Sequence, residues 1–254
     1  MRINSKKYFD TYKNGIGHEL PDLIEAFDFT DSRGDFNYLT KVSAVYSSNI
    51  EGNSVDLNSF MNYEMNRQKF KPGKEIDEIE NLIKAYEFAQ SNDLNEENLL
   101  NCHQLLSQTL LIKSKRGIYR EEPVGVFGST GLRYMAVEPE FVKQEMKVFF
   151  SDLEVLSSTM LSEMEVFYFA SLIHLRFAHI HPFMDGNGRA ARLLEKWFLA
   201  KKLGHHFWKI PSEEFYKNNL SKYYSAINLG VNFYALNYDN SLPLLEMLPN
   251  SLRI

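Results

Sequence analysis

Residues 162–203 read SEMEVFYFASLIHLRFAHIHPFMDGNGRAARLLEKWFLAKKL. From Ser162 to His179 the apolar positions run nearly all round, through Val166, Phe167, Phe169, Ala170, Leu172, Ile173, Leu175, Phe177 and Ala178. That is the pattern of a helix buried on every side. A second helix is predicted from Arg189 to Leu203, stopped by Gly204. Between them lies HIHPFMDGNG, where Pro182 ends the first helix and Gly186 and Gly188 let the backbone turn. A helix with no solvent face needs further helices packed around it, and the flanking sequence supplies them.

Upstream, Tyr38, Leu39, Val42, Val45, Tyr46 and Ile50 recur at three- and four-residue steps, predicting a helix that ends near Glu51 at Gly52. The run KEIDEIENLIKAYEFAQ places Ile76, Ile79, Leu82, Ile83 and Tyr86 on one face after Pro72 and Gly73. Glu96 to Leu111 reads as a further helix with Leu99, Leu100, His103, Leu105 and Leu106 inside, broken near Gly117. Pro139 opens another, amphipathic through Phe141, Val142, Met146, Phe149, Phe150 and Leu153. Pro123 to Val137 differs. PVGVFG and LRYMAV gather β-formers around Ser129, Thr130 and Gly131, a hairpin signal. The expected class is all-α with one small β-hairpin.

Composition narrows the setting. The 254 residues carry 28 Lys and Arg against 33 Asp and Glu, a formal charge of -5, which argues against broad binding to nucleic acid or to an anionic membrane. Cys102 is the single cysteine and cannot form an internal disulfide, as suits a reducing cytosol. The longest apolar run, Val166 to Ala170, falls far short of the ~20 residues of a membrane helix. The first residues, MRINSKKYFDTYKNGIG, lack the apolar stretch of a signal peptide. A cytoplasmic protein is expected.

The loop concentrates polar groups at a helix N-terminus. Its N–H groups form a nest for an anion, Asn187 offers a side-chain donor, and Arg189 and Arg192 lie three residues apart on one helical face. Two guanidiniums with helix amides make a cradle for a polyphosphate. Asp185 is suited to Mg2+, which takes one or two carboxylates plus phosphate oxygens and water. His181 at the rim can accept a proton near neutral pH. Two other readings fit the same residues: a plain turn between helices, and a transition-metal set of His174, His179 and His181. No cysteine pair or HExxH pattern supports the latter.

The string HPFMDGNGRAAR, His181 to Arg192, resembles the signature of the Fic (Fido) family, HPFx(D/E)GNGRxxR, at every specified position. Gly117, Tyr119 and Arg120 look like the family's G-x-Y-R before the flap, and His174 with Phe177 resembles its H-x-x-F. The resemblance implies a Fic-like helical bundle with a hairpin flap, and transfer of AMP from ATP to a Tyr, Thr or Ser hydroxyl of a target protein. Carried over, His181 is the base, Asp185 holds Mg2+, Gly186, Asn187, Gly188 and Arg189 bind phosphate oxygens, and Arg192 meets the γ-phosphate. Gly188 stands where kinase-like relatives have lysine, favouring adenylylation. The flap would dock the target by strand pairing. Asn219, Tyr223 and Tyr224 resemble a stretch near the adenosine pocket, although Leu220 replaces its usual arginine.

SSNIEGN, with Ser47 four residues before Glu51, resembles the family's inhibitory motif (S/T)xxxE(G/N). An acid in the last turn of a helix is disfavoured by the dipole and seeks a cation elsewhere. The resemblance makes that cation Arg192 and the protein autoinhibited by a helix of its own chain. The expected layout is a helical region 1–97 carrying the motif Ser47 to Asn53, a core 98–240 with flap 119–137 and signature 181–192, and a tail 241–254. Two alternatives stand beside the transferase: a de-AMPylase or dual-activity enzyme, and a non-catalytic ATP-sensing, protein-binding module. Self-modification and an oligomer are compatible with the transferase.

Overall fold

Side-chain caps open four of the α-helices in the computed structural model, which describes residues 1–29, 35–69, 71–128 and 131–253. The helices are α1 (Phe9–Asn14), α2 (Leu20–Ala26), α3 (Phe36–Ile50), α4 (Leu57–Met65), α5 (Lys74–Ser91) and α6 (Glu96–Leu106). The hairpin β1 (Gly125–Gly128) and β2 (Gly131–Met135) comes next, followed by α7 (Pro139–Ser158), α8 (Glu163–Ile180) and α9 (Asn187–Leu203). The chain closes with α10 (Ser212–Asn218), α11 (Leu220–Ile227), α12 (Leu242–Leu245) and α13 (Met247–Asn250). The fold is all-α with one antiparallel hairpin.

Asp35 caps α3 by accepting from Tyr38 N–H at 2.8 Å, and Asn95 caps α6 through Asn98 N–H at 2.9 Å. Ser162 and Glu165 form a reciprocal capping box at the start of α8. Helix α6 ends five residues short of the expected Leu111. Ser107 takes its place as cap, with its hydroxyl donating to His103 O at 2.6 Å, and the chain leaves in turns.

Helix α8 is the axis of the core. Phe167, Phe169, Ile173 and Phe177 are essentially unexposed, and α9 lies along it with Ala190, Leu193, Leu194 and Phe198 equally buried. Full burial of side chains of this size is worth about 1.5–3 kcal/mol each, so the α8–α9 pair is the rigid frame of the molecule. A smaller apolar cluster joins Ile50, Leu175, Tyr216, Tyr223, Leu229 and Leu244, where the end of α3 meets α8, α10 and α11. The chain end is part of the packing too: Leu244, Leu245, Leu248 and Leu252 are buried.

The flap pairs Gly125 with Met135 and Val126 with Tyr134, with a bulge before Phe127. Tyr134 is its anchor, buried and donating to His179 O at 2.5 Å, while Phe127 and Leu132 face outward. Ser129 and Thr130, part of the hairpin signal, lie outside the described residues.

Candidate active site

Helix α8 stops because His181 turns into the left-handed region, φ 53° and ψ 58°, the one positive φ outside glycine among the described residues. Such a conformation costs on the order of 1 kcal/mol and persists only where neighbours enforce it. Arg120 is one enforcer. Buried before the flap, it donates to His181 O at 2.7 Å, to Glu122 O at 3.0 Å and to Val137 O, and its own N–H bonds Pro182 O. Phe183 is a second. Its ring lies fully buried and stacked on His103, with centroids 3.5 Å apart. His103 accepts from Gly117 N–H at Nδ1, so its Nε2 carries the proton donated to Asp185 O at 3.0 Å. Burial pushes this imidazole down to about 4, against the pull of the Asp185 carbonyl.

Asn187 closes the loop upon itself. Its Oδ1 accepts from Phe183 N–H and its Nδ2 donates to Phe183 O, both at 2.8 Å. Both ends of the side chain thus hold the loop, and the amide keeps one further N–H beyond the bond to Phe183 O. The loop also leaves backbone for an anion: the first N–H groups of α9 have no acceptor inside the helix. Asp185 Oδ1 accepts from Gly186 N–H at 2.6 Å, and the rest of its side chain is half exposed.

The two arginines of the cradle each face an acid. Arg192, with no solvent exposure, donates to Ser47 Oγ and Ser47 O at 2.9 Å, to Tyr223 OH at 3.2 Å and to Glu51 Oε1 at 2.7 Å. Burial drives the Glu51 carboxyl upward, but Arg192, with Arg189 behind it, outweighs this and holds it below the usual glutamate range. Gly188 makes room for the pair, since a Cβ there would land on Glu51 Oε1. Arg189 forms an ion pair with Glu78 of α5 at 2.9 Å and lies 3.9 Å from Asp185. Its Nε is buried without a hydrogen-bond partner among the described residues.

Glu51, His181, Gly188, Tyr223, Tyr224, Arg133 and Tyr134 line one cavity of about 140 Å³ under the flap. The His181 ring holds its Nδ1 against Ala178 O at 3.2 Å, which places the proton there and leaves Nε2 as the basic nitrogen. Burial lowers its pKa, opposed by that carbonyl contact, so the ring is neutral at pH 7. His174 and His179 stand apart from this chemistry. His174 bonds Glu195 and Tyr223, and His179 bonds Tyr238 and Ile227 O, so both rings are spent on the core. Among the described residues no cluster of His, Cys, Asp and Glu is arranged to hold a metal alone. A single carboxylate with a free oxygen beside an anion cradle is instead the donor set that suits Mg2+ bound with phosphate.

The remaining sequence candidates divide. Tyr224 reaches the cavity and bonds Ile50 O at 2.7 Å, and Tyr223 lies beneath it between Arg192 and His174. Asn219 is elsewhere, with its amide bonded to Phe215 O and its side chain on a separate open depression. Sequence reasoning overlooked Glu78. Its signal was an acid at the margin of the apolar stripe formed by Ile79, Leu82 and Ile83.

Comparison with known proteins agrees with this architecture. Residues 93–199 match the Fic/DOC family. The protein adenylyltransferase Fic of Nematostella vectensis is 29% identical over 166 residues, 62% of this chain and 37% of that protein. Its counterpart in Drosophila erecta is 39% identical over 74 residues, which are 29% of this chain and 14% of its own length. Among solved structures, a Fic family protein from Desulfovibrio desulfuricans G20 superposes with a TM-score of 0.76 at 23% identity, covering 95% of this chain and 72% of that one. Fic-1 (aa134 - 508) from C. elegans gives 0.67 at 17% identity, covering 96% and 70%. The chain thus carries a segment similar to Fic/DOC domains over residues 93–199, and it spans well under half the length of the curated relatives it matches. Among the described residues no helix is long and apolar enough to cross a membrane.

Proposed function

We propose that the protein transfers AMP from ATP to a Tyr, Thr or Ser hydroxyl of a target protein and that Glu51 holds this activity in check. The Glu51–Arg192 ion pair is the observation that carries the reading: a buried guanidinium at an anion cradle is occupied by a carboxylate of the chain itself. His181 Nε2 takes the hydroxyl proton, the freed oxygen attacks the α-phosphorus, and the bond to the bridging oxygen breaks to release pyrophosphate. The N–H groups at the start of α9 neutralise charge on the phosphates. Arg192, once free of Glu51, receives the γ-phosphate. Asp185 and phosphate oxygens would hold Mg2+, which lowers the negative charge facing the nucleophile. With Glu51 in place the γ-phosphate has no partner and the α-phosphate is misaligned for attack.

The target segment would pair with the flap, whose outward Phe127 and Leu132 offer it apolar contact. Intact-mass analysis after incubation with ATP and Mg2+ tests the reading. Glu51→Gly should gain an adenylyl group on itself or on an added target at least tenfold faster than the unaltered protein, and Glu51→Gly with His181→Ala should gain none. Equal labelling of all three proteins would sink it.

A further inference from the structure

Arg189 is the least satisfied charged group of the site. Its Nη2 pairs with Glu78 Oε1 at 2.9 Å as an ion pair without hydrogen-bond alignment, its Nη1 stands 3.9 Å from Asp185 Oδ1, and its buried Nε has no acceptor among the described residues. A buried donor left unpaired is destabilising, so this guanidinium gains by moving onto any further acceptor within reach. Asp185 is the acceptor within reach, and it is also the carboxylate suited to Mg2+. Glu78 itself is buried on α5, whose first turn is fixed by Ser54 N–H and Oγ bonding Glu75 at 2.8 Å. Its hold on Arg189 therefore comes from a rigid element outside the loop.

We propose that Glu78 is a positioning residue that keeps Arg189 off Asp185, and so keeps the Asp185 carboxylate open to a divalent cation. Without Glu78 the 3.9 Å approach closes to a full ion pair, and a cation must displace a guanidinium before it can bind. The role rests on the reading of Asp185 as the metal-holding group of a nucleotide site.

Mn2+ binding followed by electron paramagnetic resonance in the presence of a non-hydrolysable ATP analogue tests this without turnover. In the Glu51→Gly background, Glu78→Gln should raise the Mn2+ concentration for half-occupancy about tenfold or more, the usual effect of removing a group that orients a metal ligand. In proteins that already carry Glu51→Gly and Arg189→Ala, Glu78→Gln should leave the value unchanged, because the competing guanidinium is gone from both. A purely structural role would raise the value with or without Arg189. An unchanged Mn2+ requirement in Glu78→Gln, or an equal rise in the presence and absence of Arg189, overturns the proposal, as does absence of Mn2+ binding in Glu51→Gly itself. Should Glu78→Gln fold poorly, Glu78→Asp, which keeps the charge but shortens the reach, should show a smaller rise. Mass analysis of the same samples separates the two ideas: Glu78-dependent Mn2+ binding with no adenylyl transfer defeats the transferase and leaves this role standing.

Discussion

Gly188 shows how narrowly the Glu51 seat is built. Any side chain there meets the Glu51 carboxylate before it meets anything else, so Gly188→Ala should displace Glu51 at a cost of about 1–3 kcal/mol. In a Glu51→Gly background the same change should cost much less, a non-additivity that urea titration can read. Equal losses in both backgrounds would place the clash elsewhere. His181 carries a second expectation. Its lowered pKa keeps the ring neutral, and hence able to accept a proton, below the ~6.5 of an ordinary imidazole. Labelling by Glu51→Gly should stay level as pH falls from 8 to about 6.5 and decline only below that. A decline beginning near pH 7.5 would mean that another group governs the rate. These residues were legible because His181 to Arg192 are contiguous and their chemistry follows from type and spacing. The commitments of Asn187 to Phe183 and of Arg189 to Glu78 were not, since a string does not show which partners folding brings to each polar group.

Helix α3 is no detachable arm. Lys196, one turn beyond Arg192 on α9, is buried and donates to Ser43 Oγ at 2.7 Å and Glu213 at 2.5 Å, while Tyr86 of α5 donates to the other Glu213 oxygen. Lys217 and Tyr224 bond the carbonyls of Asn49 and Ile50 at the helix end, where the dipole favours a cation. Serines spaced four apart thus meet cations spaced four apart, Ser43 with Lys196 and Ser47 with Arg192. Relief of Glu51 should accordingly be local. Hydrogen exchange of amides 44–48 is expected to remain slow in Glu51→Gly with or without ATP, and fast exchange there would show that the whole helix leaves. Lys196→Met strands a buried carboxylate and should destabilise the fold by about 3–5 kcal/mol in a thermal or urea melt. The apolar period of α3 and α5 was readable, whereas this ladder was not, because serine and lysine at such positions ordinarily face water.

Across the molecule, buried neutral histidines set an acid limit. His103 titrates at about 4 and His179 at about 3, both lowered chiefly by burial, whereas the unfolded chain binds those protons near 6.5. Between those values the unfolded state carries more protons, so stability is full above about pH 6.5 and falls as pH drops toward 4. The loss should reach on the order of 3 kcal/mol for His103 alone, and His103→Gln should flatten that part of the profile. The all-α class was legible from the continuous burial predicted for α8. The formal charge of -5 said nothing of the site, because the cations that matter are internal and the acids opposing them, Glu51 and Glu78, arrive from other helices.

Arg192 is fully buried, so under the proposed function its carboxylate partner would act as a tethered competitor for nucleotide. Two consequences are coupled. Glu51→Gln should lose about 1–3 kcal/mol of stability without ligand, the carboxylate being only partly buried. ATP should then raise the melting point more in that variant than in the unaltered protein. The gap between the two apparent affinities for ATP measures the effective concentration at which the chain presents Glu51 to its own arginine, each tenfold being 1.4 kcal/mol. On that proposal ATP would be set against an internal ligand whose concentration never changes.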